Sequence, residues 1–275
     1  MSRPALAVAV SLVMAAFAAN SVLARLTLGG GHADALAFTA VRLASGAAVL
    51  GALVAARRMR PGGDAVSALA LLVYAAAFSV AYLALPTGTG ALVLFGSVQA
   101  TMVGWGVAHG ERLRPVQALG LFLALGGLVV LVAPGVGAPP LGAAALMAIA
   151  GAAWGAYSLR GRSAGDATAA TAGNFLRAAP AAVVLMLAAG SPRADPTGLA
   201  LAAASGALTS GLGYAAWYAV LPRLRAETAS AVQLAVPILA ALGGVAFAGE
   251  GLSVRLAAAS AATLGGIALV ARRPR

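Results

Sequence analysis

Apolar residues run in long stretches broken by short polar joints, near 5–25, 34–55, 65–85, 89–108, 115–133, 141–160, 168–189, 197–220, 228–248 and 253–271. About 20 apolar residues carry an α-helix across a hydrocarbon core, so each stretch predicts one spanning helix. A transmembrane β-barrel would alternate polar and apolar positions, whereas residues 181–189 are apolar throughout. The pattern predicts an all-α integral membrane protein with ten transmembrane helices.

The pattern also repeats. The fourth stretch ends in the joint His109-Gly110-Glu111-Arg112 and is followed by Leu125-Gly126-Gly127; the ninth ends in Ala248-Gly249-Glu250-Gly251 and is followed by Leu264-Gly265-Gly266. A shift of 139 residues superposes both the Gly-Glu joints and the Gly-Gly pairs, which lie 16 residues apart. Earlier in each half a shift of 135 brings Arg25 onto Arg160 and Arg42 onto Arg177. We therefore divide the chain into a first repeat, 1–137, and a second, 138–275. Each holds five spans, an odd number, so the second must enter the membrane from the opposite side, as an inverted repeat.

Charge fixes the orientation expected of them. All 18 basic residues are arginine. If the N-terminus is cytoplasmic, thirteen fall on that side (Arg3, Arg57, Arg58, Arg60, Arg112, Arg114, Arg160, Arg162, Arg223, Arg225, Arg272, Arg273 and Arg275) and only Arg25, Arg193 and Arg255 outside. By the positive-inside rule both termini are cytoplasmic.

Composition agrees: 61% of residues are hydrophobic and 9% charged, with mean hydropathy +0.95. The net charge of +11 is scattered over short loops rather than gathered in a stripe, which argues against nucleic-acid binding. With no cysteine, two histidines and no pair of acids within a span, neither a metal site nor an acid–base pair can be assembled at depth, so no cofactor and no enzyme activity are expected. The Ala- and Arg-rich, Lys-free composition points to a high-GC bacterium, hence to its inner membrane. Arg3 and the apolar run after it resemble a signal peptide without a cleavage pattern and are read as the first helix.

Ten short spans, two five-helix repeats, an intramembrane Arg in the second helix of each and a Gly-Glu joint between the fourth and fifth resemble the EamA-type branch of the drug/metabolite transporter superfamily. Phe17-Ala18-Ala19-Asn20-Ser21 resembles the family's first-helix Trp-Gly-Ser-Asn pattern with the Trp and Gly replaced. Ala153-Trp154-Gly155-Ala156-Tyr157 is closer to its second-repeat counterpart. Gln233 to Glu250, with Pro237 placed in mid-span, resembles the ninth helix; the matching first-repeat position, Val98, lacks the proline. The resemblance implies a secondary transporter with a central cavity lined by helices 1, 3, 4, 6, 8 and 9. Many members export amino acids and related metabolites, and the aromatic residues here favour aromatic cargo. Lipid-carrier translocation and multidrug efflux are the alternatives on the same scaffold. The partners implied are a small-molecule substrate and the bilayer, with the protein a monomer or weak homodimer.

Candidate residues follow from cost. A mid-helix Arg costs about 2.5–3.5 kcal/mol on insertion scales, and no acid lies at the depth of Arg42 or Arg177. Their matched positions favour a structural role, each bonding helix-end carbonyls. Glu111 and Glu250 precede helix starts and are expected to cap them. Tyr74, Phe78 and Tyr82 are spaced by four, Tyr214, Trp217 and Tyr218 share a face, and so do Trp154 and Tyr157. These stripes are read as cavity lining, with Tyr82 and Tyr218 also placed to join an interfacial belt. Among the amides within spans, Asn20, Gln99 and Gln233 are expected to bind the polar end of a substrate, and Asn174 to be structural. Gly151 with Gly155, and Gly106 with Gly110, are small-xxx-small pairs that allow close helix approach.

Overall fold

The computed structural model describes residues 2–110, 112–161, 165–190, 192–224 and 232–271. The helices are α1 (Arg3–Gly29), α2 (Ala35–Ala56), α3 (Ala65–Tyr82), α4 (Thr87–Ala108), α5 (Pro115–Val132), α6 (Leu141–Gly161), α7 (Ala167–Ala188), α8 (Pro196–Val220), α9 (Ala235–Ala248) and α10 (Val254–Ala271). Among the described residues nine are long and apolar enough to cross a membrane, and α9, described over 14 residues, is shorter. Among the described residues no strand forms, and the one β-bridge pairs Ala33 with Ala194.

Two helices differ from the sequence expectation. Pro237 is the third residue of α9, which a turn at Leu234 separates from the helical residues 232–233, so its missing N–H falls where the helical hydrogen bonding is already interrupted. In α8, Ser205–Leu212 is π-helical between two α-helical segments. The wider turn carries Ser205, Gly206, Thr209, Ser210 and Gly211 on its buried side.

All five acids whose side chains are described cap a helix N-terminus. Asp34 accepts from Ala37 N, Asp64 from Ser67 N, Asp166 from Ala169 N and Asp195 from Gly198 N, starting α2, α3, α7 and α8. Each carboxylate fills an orphan donor and faces the positive end of the helix dipole. Glu250 does not cap the helix that follows it. Ser253 does that, accepting from Leu256 N, while Glu250 reaches Thr87 N at the start of α4. Glu111 lies outside the described residues.

Packing is through small residues. The second glycine of each Gly-Gly pair faces the partner in the α5–α10 contact: Gly127 abuts Ala259 and Thr263, and Gly266 abuts Gly120 and Ala124. The first, Gly126 or Gly265, faces open space. Gly151 and Gly155 let α6 approach α4 at Leu94, Val98 and Thr101; Gly110 instead ends α4 in a left-handed conformation, φ +92°. Phe122, 73% exposed, and Val129, 63% exposed, lie on the outer side of α5, as expected of a surface whose solvent is lipid.

The helix pairs are related by exchange. α6 packs on α3 and α4 as α1 packs on α8 and α9, while α2 meets α7, α5 meets α10 and α4 meets α9. Advancing every helix by five places leaves these pairs unchanged.

Candidate functional site

Arg42 sits in the middle of this packing, on α2, with 1% of its surface exposed. Helix-end carbonyls do not hold it. Its Nη2 donates to Tyr74 Oη on α3 (2.9 Å) and its Nε to Ser210 Oγ in the π-helical segment (3.2 Å). Its guanidinium carbon lies 5.1 Å from the ring centroid of Tyr74 and 4.8 Å from that of Phe78, within cation–π range. Tyr214 adds to its electrostatic surroundings, yet Nη1 completes no hydrogen bond.

A second polar node adjoins it. Tyr74 Oη also accepts from Asn20 Nδ2 (3.4 Å), and Asn20 Oδ1 accepts from Ser205 Oγ (2.8 Å) and Thr209 Oγ1 (3.2 Å). One buried network thus joins α1, α2, α3 and α8. Such networks fix side-chain positions when their members are satisfied.

Around it the aromatic stripes form one continuous cluster. Trp154 lies 5.0 Å from Tyr74 and 4.8 Å from Tyr214, and stacks on Tyr157 at 5.3 Å. Tyr74 touches Phe78, and Phe78 touches Tyr82. Phe17 joins Tyr214 and Trp217, and Phe175 packs edge-on to Tyr214. Each pair contributes about 0.5–1.5 kcal/mol beyond area burial. Tyr82 is fully buried, with its hydroxyl on the Thr87 carbonyl (3.2 Å), so it is no belt residue.

Of the other candidates, Gln99 lies apart from this cluster, whereas Tyr218 lies within electrostatic reach of Tyr157. Gln99 lines a narrow crevice between α4, α5 and α10 with Gly96, Leu121 and Ile267. Gln233 is half-buried just before α9, and Tyr218 is half-buried near Gly161. Arg177 is exposed and donates to the carbonyl of Gly62 (2.6 Å), in the loop between α2 and α3 rather than at a helix end, so the two arginines matched in sequence occupy opposite environments. Asn174 holds the same loop, accepting from Asp64 N (3.0 Å) and donating to Tyr157 Oη (3.4 Å). Sequence reasoning missed Ser205, Thr209, Ser210 and Phe17. Three hydroxyls within six residues of an Ala/Leu-rich span were the available signal.

The two ends of the bundle are built differently. At one, Arg25 Nε donates to Glu250 Oε1 (2.9 Å) while Glu250 Oε2 accepts from Thr87 N (2.8 Å), and Arg25 Nη1 reaches the Tyr82 carbonyl (3.4 Å). This ties α1, α3 and α4 to the end of α9. The same end is sewn by His32 to Asp195 (2.8 Å) and by Asp34 to Arg193 N (2.6 Å). At the other lies a cleft of about 410 Å³, lined by Gly63, Asp64, Ser67, Arg160, Asp166 and Asn174.

Asp64, at the rim of that cleft, has its carboxyl held at about 2 by the Ser67 hydroxyl, then by Ser67 N and Arg160. Its folded value is depressed, so the cap's stabilisation is complete above the ordinary carboxylate range and is lost as pH falls through about 2. The melting difference between wild type and Asp64→Asn is expected to stay constant from pH 7 to pH 5 and to shrink only below about pH 4. A difference that already closes near pH 6 would rule this out. The Asp195 carboxyl is lowered too, chiefly by His32 and then by Gly198 N.

Comparison with known proteins places this architecture. A solved crystal structure 24% identical in sequence superposes with TM-score 0.69 over 95% of this chain and 97% of its own, a likeness of fold. An uncharacterized protein of Pseudomonas aeruginosa is 54% identical over 264 residues, covering 94% of this chain and 92% of its own. Residues 141–272 match the model of the EamA-like transporter family. The helices, the relative and the family match together make this chain a multi-pass membrane protein that belongs to the EamA-like transporter family.

Proposed function

We propose that the protein is a secondary transporter that exports small metabolites, amino acids with aromatic side chains foremost, across a bacterial inner membrane by alternating access. The observation that carries this is the convergence of aromatic residues from α1, α3, α6 and α8 on the buried Arg42. Aromatic faces accept an aromatic or apolar side chain, while the hydroxyls of Tyr74 and Ser210 and the Asn20 amide suit a polar end. The family membership supports a transporter rather than a catalyst, and the Pseudomonas relative supports a bacterial membrane.

The mechanism we propose rests on two inverted five-helix repeats, 1–137 and 138–275, that together cross the membrane ten times with both termini in the cytoplasm. The exchange of helix pairs on advancing five places supports the repeat, and the arginine distribution supports the orientation. In this reading the Arg25–Glu250 end faces outside and is closed, and the 410 Å³ cleft opens to the cytoplasm. Export then needs the two ends to exchange roles around the aromatic cluster. We expect a monomer or weak homodimer, and facilitated, gradient-driven movement, because no acid is found among the described residues at the depth of Arg42 to relay protons.

Counterflow in proteoliposomes tests the reading. Vesicles loaded with unlabelled phenylalanine, threonine or a nucleoside are expected to take up labelled phenylalanine saturably, with the phenylalanine load most effective. No exchange of any water-soluble compound by folded protein would instead favour a lipid-carrier translocase.

A further inference from the structure

We infer that Arg42 is the anchor for a carboxylate on the transported molecule, so that the cargo is selected for a single negative charge next to its aromatic group. The inference rests on the transporter reading above and names the chemistry of its central site.

A structural arginine is expected to have its donors filled. Arg42 does not: Nε and Nη2 are taken by Ser210 and Tyr74, while Nη1, buried with the rest of the side chain, completes no hydrogen bond although the neutral Tyr214 hydroxyl lies near the guanidinium. An unfilled donor on a buried cation is the costly case, because the group has lost water and gained nothing in return. The partners it has are neutral hydroxyls and two ring faces, and every acid whose side chain is described is committed to a helix cap at an end of the bundle. The charge is thus positioned but not neutralised within the described residues.

The positioning is firm. Tyr74 and Ser210 grip two edges of the guanidinium plane from different helices, and the π-helical segment that supplies Ser210 also supplies the Asn20 contacts that brace Tyr74. A cation fixed by neutral groups binds an anion without losing freedom of its own. Trp154 and Tyr214, packed beside Tyr74, are the surfaces that must part to admit a ligand. In so apolar a site a singly charged carboxylate loses less hydration than a dianionic phosphate, which selects the carboxylate.

Four phenyl compounds separate the charges: phenylalanine, 3-phenylpropionate, phenylalaninamide and phenethylamine. In counterflow with wild-type protein, the two acids are expected to compete at least about 30-fold more strongly than the amide and the amine, the loss for one hydrogen bond to a charged group. In Arg42→Gln, checked for folding by gel filtration and melting, the ratio of acid to amide is expected to fall to about one. Arg42→Lys keeps the charge without the planar fork and is expected to restore part of the ratio. Amide binding equal to acid binding in the wild type would overturn the anchor while leaving the transporter reading intact, and so would an unchanged ratio in folded Arg42→Gln. If both variants fail to fold, the wild-type ratio decides alone. No exchange of any of the four by folded wild type would overturn the amino-acid reading itself.

Discussion

Glu250→Gln is expected to open the Arg25 end of the bundle. The carboxylate holds Arg25 with one oxygen and the first N–H of α4 with the other, so one side chain joins α1 to α4 from the end of α9. Glutamine is nearly the same shape but carries no charge. It leaves Arg25 with the Tyr82 carbonyl alone and weakens the cap on α4. The pair is only partly buried, with side-chain exposures of 25% and 13%, so the cost should fall below that of a fully buried pair, at about 2 kcal/mol. Because the chain has no cysteine, Ala81→Cys, fully buried beside this end, reports opening without background labelling. Its maleimide labelling is expected to speed up about 30-fold in the Glu250→Gln background, since each 1.4 kcal/mol is one decade in population. An unchanged labelling rate would show that other contacts hold this end shut. A double-mutant cycle with Arg25→Gln should return a coupling of about 1–3 kcal/mol if the two residues act as a pair.

Gly206→Ala is expected to unseat α8 from α2. A Cβ built there overlaps the Arg42 carbonyl oxygen and Ser45 Oγ, and backbone cannot swing aside as the tip of a flexible side chain can. Relief requires α8 to move out, which pulls Ser210 from Arg42 and Ser205 from Asn20. We expect a loss of about 3 kcal/mol, the upper end of ordinary overpacking, seen as a lower melting temperature and reduced yield. Gly265→Ala is the control. It is also helical but meets nothing within 4 Å, so it should be neutral or stabilise by about 0.5–1 kcal/mol. Equal destabilisation by the two substitutions would mean that the α2–α8 contact does not set the cost.

How much of the site was legible varies with what each residue depends on. Tyr74, Phe78, Trp154, Tyr157, Tyr214 and Trp217 could be found because helical spacing puts each set on one face, and facing stripes in a bundle of this kind meet. Gln99 could not be placed by the same logic. One residue of rotation on α4 separates a side chain aimed at the centre from one aimed at α5 and α10, and polarity alone does not choose. Ser210 was invisible for a related reason: the π-helical turn changes the register of α8, so its side chains point where a regular helix would not send them. Glu250 was expected to cap the next helix, but that position is taken by Ser253, and its real partners are 225 and 163 residues away in sequence.

By itself the sequence determined the membrane environment, the approximate limits of most described helices and the matched landmarks of the two halves, together with the family resemblance they carry. Each of these depends on local composition or spacing: a hydrophobic length is set against a bilayer thickness, and a glycine pair keeps its spacing wherever the helix packs. Tertiary structure alone decided that Arg42 is enclosed while Arg177 is exposed, although the two occupy equivalent places in the sequence. It also decided that Glu250 bridges α1 and α4. A buried charge is defined by what surrounds it in space, and here those neighbours come from helices that the membrane folds together across the whole length of the chain.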